Sequence, residues 1–102
     1  MSVSIEKELK GLIRSGKYYL GVERTLKSIM LSKVKMVIIA DNMPKNIRKK
    51  IEMLTEYNNI PLYVFNGTSV ELGALIGKPF KVSAIGVIDP GESKILELYQ
   101  TP

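Results

Sequence analysis

The chain has 102 residues, 45% of them hydrophobic, and a net charge of +5, which fits one compact domain able to bury a core without staples. It contains no cysteine and no histidine, which excludes disulfides, thiolate chemistry, iron–sulfur clusters and any catalytic relay built on a histidine base. The charge is uneven: residues 1–50 carry 12 Lys/Arg and 4 Asp/Glu, while residues 51–102 carry 3 and 6. A basic half suits a polyanion partner, although a solvated lysine-rich surface has the same composition.

The N-terminal run Met1 to Lys7 mixes acid and base without an apolar stretch, so it does not read as a signal peptide. No apolar run approaches the roughly 20 residues that span a bilayer. An intracellular protein with no membrane association is expected. Residues 3–15 form the first predicted helix, with Ile5, Leu9, Leu12 and Ile13 on one face at helical spacing. Gly16 suits a left-handed helix end. Tyr18-Tyr19-Leu20 is a short strand closed by Gly21. A second helix follows over 22–31, with Leu26, Ile29 and Met30 as its buried stripe. Residues 35–40 are the most apolar strand, expected at the centre of a sheet and covered on both faces. Pro44 suits the first turn of a third helix that runs to Tyr57, with Ile47, Ile51 and Leu54 facing inward. Asn58-Asn59 closes it, and Leu62–Phe65 is the next strand. Thr68 and Glu71 have capping-box spacing ahead of a short fourth helix that ends near Gly77. Residues 82–88 form a further strand, Asp89-Pro90-Gly91-Glu92 a turn, and Ile95–Leu98 a short final strand.

Helices and strands therefore alternate along the chain, and helices are expected on both faces of one sheet of about four strands. In such sheets ligands sit beyond the carboxyl ends of strands, here Gly21–Arg24 and Asp41–Lys45. Glycine at a strand end allows close approach by a partner. Arg24 and Lys27 share a helix face and can grip phosphates. Glu23 lies in the first helical turn, where the dipole favours an acid. Asn42 can bond base edges or cap the third helix. Lys45, Arg48, Lys49 and Lys50 point several ways on one helix and read as a solvated face. Phe80, set between Lys78 and Lys81, suits either stacking on an unpaired base or the start of a buried strand. The run Gly67 to Gly73 lacks the lysine and glycine spacing of a nucleotide loop. Asp41, Glu71 and Asp89 have no spacing of a metal or acid–base pair.

Several blocks taken in order carry a more specific signal than any one motif. They are Gly16-Lys17-Tyr18-Tyr19-Leu20-Gly21, Lys27-Ser28, Val37 to Pro44, Gly67 to Val82, and Asp89 to Leu96. With these blocks the chain resembles the family of the thirtieth large-subunit ribosomal protein of archaea and eukaryotes, within the superfamily of kink-turn-binding ribosomal proteins. The resemblance covers nearly the whole chain. It implies an α/β/α sandwich with a mixed four-stranded sheet, a single RNA-binding domain over 1–102, and no enzymatic activity, cofactor or metal. It also implies a cytoplasmic place in the large ribosomal subunit, contact with ribosomal RNA and neighbouring large-subunit proteins, and a monomer off the ribosome.

By position, the loop and helix start at Gly21 and Val22 form part of the RNA edge in that family. Glu23 and Arg24 fall where side chains touch tandem sheared G·A pairs. Lys27 falls where a lysine holds the backbone or a guanine edge. Asn42 matches an RNA-contacting asparagine, and Phe80, Lys81 and Val82 match a loop that packs on an extruded nucleotide. Glu23 is a departure, because relatives usually carry lysine, arginine or asparagine there. Three other functions are compatible with such a chain: a kink-turn-binding scaffold of an RNA-modifying ribonucleoprotein, a small nucleotide-binding α/β domain, and a purely structural interaction module.

Overall fold

In the computed structural model, which describes residues 4–99, four helices and four strands alternate. They are α1 (Ile5–Ser15), β1 (Lys17–Leu20), α2 (Val22–Met30), β2 (Met36–Ala40), α3 (Lys45–Tyr57), β3 (Leu62–Phe65), α4 (Ser69–Leu75) and β4 (Ala84–Asp89). Val3, the first residue of the expected first helix, lies outside the described residues. Ser4 caps α1 by accepting from the Lys7 N–H.

The sheet order is β1-β4-β2-β3. β2 and β3 are parallel, and β4 runs antiparallel to both β1 and β2. β2 holds the centre because all five of its residues, Met36 to Ala40, are apolar and buried on both faces. On one face Leu9 and Leu12 of α1, with Leu72 and Ile76 at α4, pack against Met36, Ile38, Ile85 and Val87. On the other face Ile29 of α2 and Ile51 of α3 pack against Val37, Ile39 and Ala84. The result is an α/β/α sandwich with a mixed four-stranded sheet, as expected.

Four local expectations need correction. Ile95–Leu98 is not a strand, because residues Ile95–Tyr99 form a 3-10 helix. The amides a strand would pair are taken by side chains. The Lys94 N–H donates to Glu8 Oε1 and the Ile95 N–H to Ser93 Oγ, while Ile95 is fully buried beside α1. Gly16 is not left-handed (φ −100°). A Cβ there would run into the Asp89 carbonyl oxygen, so the requirement is close approach, not backbone handedness. Met30 is 65% exposed. α2 rests on β4 through Thr25, Ser28 and Ile29 instead, which is possible because Gly86 puts no side chain beneath it. A Cβ on Gly86 would lie 3.1 Å from Val34 Cγ1 and 3.3 Å from Ser28 Oγ. The last strand begins at Ala84, not at Val82.

Candidate nucleic-acid interface

β1, β2 and β3 run in the same direction, so their carboxyl ends reach one edge of the sheet, where antiparallel β4 begins. A chain of hydrogen bonds stitches the loops at that edge together. The Gly21 N–H donates to the Ala84 carbonyl (2.9 Å), the Ala40 N–H to Ser83 (2.9 Å), and the Asp41 N–H to Gly67 (2.9 Å). The Ser69 N–H donates to Asn42 Oδ1 (2.9 Å), and the Val82 N–H donates back to the Ser69 carbonyl (3.0 Å). The loops after β1 and β2 and the loop before β4 thus form one surface. Gly21, Asn42, Phe80 and Lys81 lie on these loops, Val22, Glu23, Arg24 and Lys27 follow on α2, and Val82 is buried beneath.

Gly21 caps α2 with φ +103° and ψ 155°, a conformation essentially reserved for glycine. No atom lies within 4 Å of where its Cβ would be. Only the backbone therefore demands glycine, and the space above it is open to a partner. Val22 is half-buried and packs on the core beneath, so it anchors the helix start. Glu23, Arg24 and Lys27 are all exposed on α2.

Asn42 does not cap α3. Pro44 holds that position without a side-chain bond. The Asn42 oxygen is used across the edge, on the first residue of α4, which leaves its amide N–H donors for a partner. Arg48 lies 3.7 Å from Asp41 and 3.3 Å from Glu52, so it offsets the one acid of the Asn42 loop. Both pairs are solvent-exposed and weak. Lys45 and Lys81 are exposed at the same edge.

Phe80 is 56% exposed and precedes the strand, so it is not a core residue. Its loop is held from both sides. A Cβ on Gly73 would strike the Phe80 carbonyl oxygen, and Val82, 1% exposed, is locked in the core. Val82 therefore supports the loop, and the Phe80 ring and Lys81 are the side chains it offers. Chemically, the edge presents cations for phosphates, an amide for base edges and an aromatic ring for stacking. Among the described residues no cluster of three acidic or other metal-ligating side chains exists, and no helix is long and apolar enough to cross a membrane.

Local sequence gave no sign of the Asn42–Ser69 bond, whose partners are 27 residues apart. The Asp41–Arg48 pair was also missed, although its spacing within the α3 start would have permitted it.

Residues 3–97 match the family model of the ribosomal protein L7Ae/L30e/S12e/Gadd45 family. The chain belongs to this family. Relatives within it include the large ribosomal subunit protein eL30 of Sulfolobus acidocaldarius, 47% identical over 98% of this chain and 96% of that protein. The eL30 of Sulfurisphaera tokodaii is 50% identical over 90% and 87%, and that of Methanothermobacter thermautotrophicus is 41% identical over 94% and 98%. These relatives are named as structural ribosomal proteins, not as enzymes. Among solved structures, a protein with unknown function from Bacillus halodurans C superposes with a TM-score of 0.73 at 28% identity, covering 93% of this chain and 95% of that one. Family membership accords with the fold: the blocks that carry the resemblance include the loops at the stitched edge.

Proposed function

We propose that this chain is a component of the large ribosomal subunit and that its loop edge binds a kink-turn in ribosomal RNA. The relatives named eL30 support the ribosomal assignment over a scaffold of an RNA-modifying particle, and with it a cytoplasmic location beside neighbouring subunit proteins. Off the ribosome the chain is a monomer. The observation that carries the RNA reading is the Asn42–Ser69 bond, which, with the Val82 N–H bond to the Ser69 carbonyl, makes the Asn42 loop, the α4 start and the Phe80 loop one preformed surface beside Arg24 and Lys27.

A kink-turn crowds the phosphates of two helical arms. Exposed cations offset that repulsion, and the bend opens base edges that regular A-form RNA hides. The Asn42 amide donates to such an edge, Phe80 stacks on an unpaired base, and the Glu23 carboxylate accepts from base amino or imino groups. Because the protein surface is preformed, the RNA supplies the movement, and binding shifts it toward the bent form by differential affinity.

Two variants of one residue test this. Asn42→Ala removes both the base contact and the Ser69 anchor, so kink-turn affinity falls by about tenfold or more and stability falls by about 1 kcal/mol. Asn42→Asp keeps an acceptor for Ser69 but loses the amide donors. Stability is then largely kept while affinity still falls. Full kink-turn affinity in both variants contradicts the proposal.

A further inference from the structure

Beside α2, away from the Asn42 and Phe80 loops, lies a second surface that shares Arg24 and Lys27 with the edge but whose Tyr19 and Lys33 the kink-turn reading does not use. It is a shallow groove of about 290 Å³ between β1 and α2, lined by Tyr19, Arg24, Lys27, Ser28, Leu31 and Lys33. The groove is open along its length and is not an enclosed cavity, so a strand can lie in it. Three of the six lining residues are cations and none is an acid.

The groove is built by identifiable features. Tyr18 and Leu20 pack on the core beneath α1 and α4, so the alternation of a strand turns Tyr19 to the α2 face. Its partner across the antiparallel pair is Gly86, so no cross-strand side chain covers the ring. β1 is also the terminal strand of the sheet, which leaves its outer flank open. Lys33 is placed by backbone geometry. Ser32 takes a left-handed conformation (φ +56°), and the Lys33 N–H donates to the Ser28 carbonyl at 2.9 Å, folding the lysine back onto the last turn of α2.

We infer that this groove extends the RNA footprint and holds the sugar–phosphate backbone of one helical arm beyond the kink, with Tyr19 against a ribose or base. Arg24 and Lys27 belong both to the loop edge and to the groove, so the two surfaces are continuous, and a strand leaving the edge passes Lys33 next. The three cations meet phosphates, and an aromatic ring beside them is the arrangement that nucleic-acid surfaces use for stacking. This inference rests on the kink-turn reading and extends it.

The test uses the full chain and three RNAs: a kink-turn with two long arms, and two versions with one arm or the other cut back to the kink. A straight duplex serves as reference. Lys33→Gln binds the long RNA about fivefold more weakly than the unaltered chain at low salt, with a salt slope smaller by about one. The deficit disappears on one truncated RNA only, and hydroxyl-radical protection along that arm shortens. Tyr19→Ala shows the same dependence on the arm. If the unaltered chain prefers the kink-turn over the duplex but both variants match it on every RNA, the inference is overturned and the groove belongs to a protein neighbour. If the unaltered chain shows no preference for the kink-turn, the edge reading falls and this inference falls with it.

Discussion

The Asn42 side chain joins loops 27 residues apart, and Phe80 stands exposed on a loop fastened beneath it. These two residues separate function from stability in different ways. Because the Phe80 ring is not packed in the core, Phe80→Ala leaves the thermal midpoint nearly unchanged while weakening kink-turn binding by about 1–3 kcal/mol, the range for lost base stacking; calorimetric melting and a binding titration on the same variant check both halves. Thr25 poses the opposite case. It is fully buried, and its Oγ1 finds no hydrogen-bond partner. Thr25→Val removes an unsatisfied hydroxyl at nearly constant shape and is expected to stabilise the domain by up to about 1 kcal/mol, or about 4–8 °C in Tm for a chain this small. Sequence exposed part of this picture. Residue types and positions around Gly21, Asn42 and Phe80 mark the edge, but the local pattern at Asn42 allows a helix cap as well as a base contact, because its true partner is distant in the chain. Phe80 could be either core or surface until the strand start was known. The resemblance groups Val82 with Phe80, although Val82, in the loop ahead of β4, is buried in the core.

At the level of elements, three helices end the same way. After α2, α3 and α4 the chain takes a left-handed residue, Ser32, Asn59 and Gly77. The next amide then bonds back across the last turn, Lys33 to Ser28, Ile60 to Thr55 and Lys78 to Gly73. This is the Schellman pattern. Asn59 and Gly77 are residues that accept positive φ readily, whereas Ser32 is strained. Ser32→Gly should therefore stabilise by about 0.5–1 kcal/mol, less the entropy glycine adds to the unfolded chain, and urea denaturation measures it. A loss of stability would show that the serine makes compensating interactions. The helices were legible from periodicity and from Asn58-Asn59 and Gly77, and the end of α2 was visible only as the limit of its apolar pattern. Ile95–Leu98 misled because so short a segment, three apolar residues around Glu97, does not distinguish a strand from a helical turn. Its fate was decided by Glu8, which bonds the Lys94 amide from α1, and by the neighbouring Ser93, which bonds the Ile95 amide and is itself held by Glu8.

For the whole molecule, strand direction positions the proposed interface. Three co-directional strands and one reversed strand bring four loop regions to one edge, and the basic first half of the sequence supplies β1–α2 and β2–α3 there. Alternating periodicity was enough to read the α/β class and the central place of β2. The reversed direction of β4 is not written in any local pattern, and the resemblance alone implied a mixed sheet. The proposed edge recognises RNA shape, not charge alone. The most direct measurement titrates the chain into a kink-turn RNA and into a straight duplex of equal length, each at several salt concentrations. It predicts at least tenfold tighter binding to the kink-turn at every salt, because base-edge and stacking contacts add to a shared phosphate term. Equal affinity for the two RNAs, falling together steeply with salt, would contradict it and single out Glu23, the exposed acid in the first turn of α2, as the residue that defeats recognition.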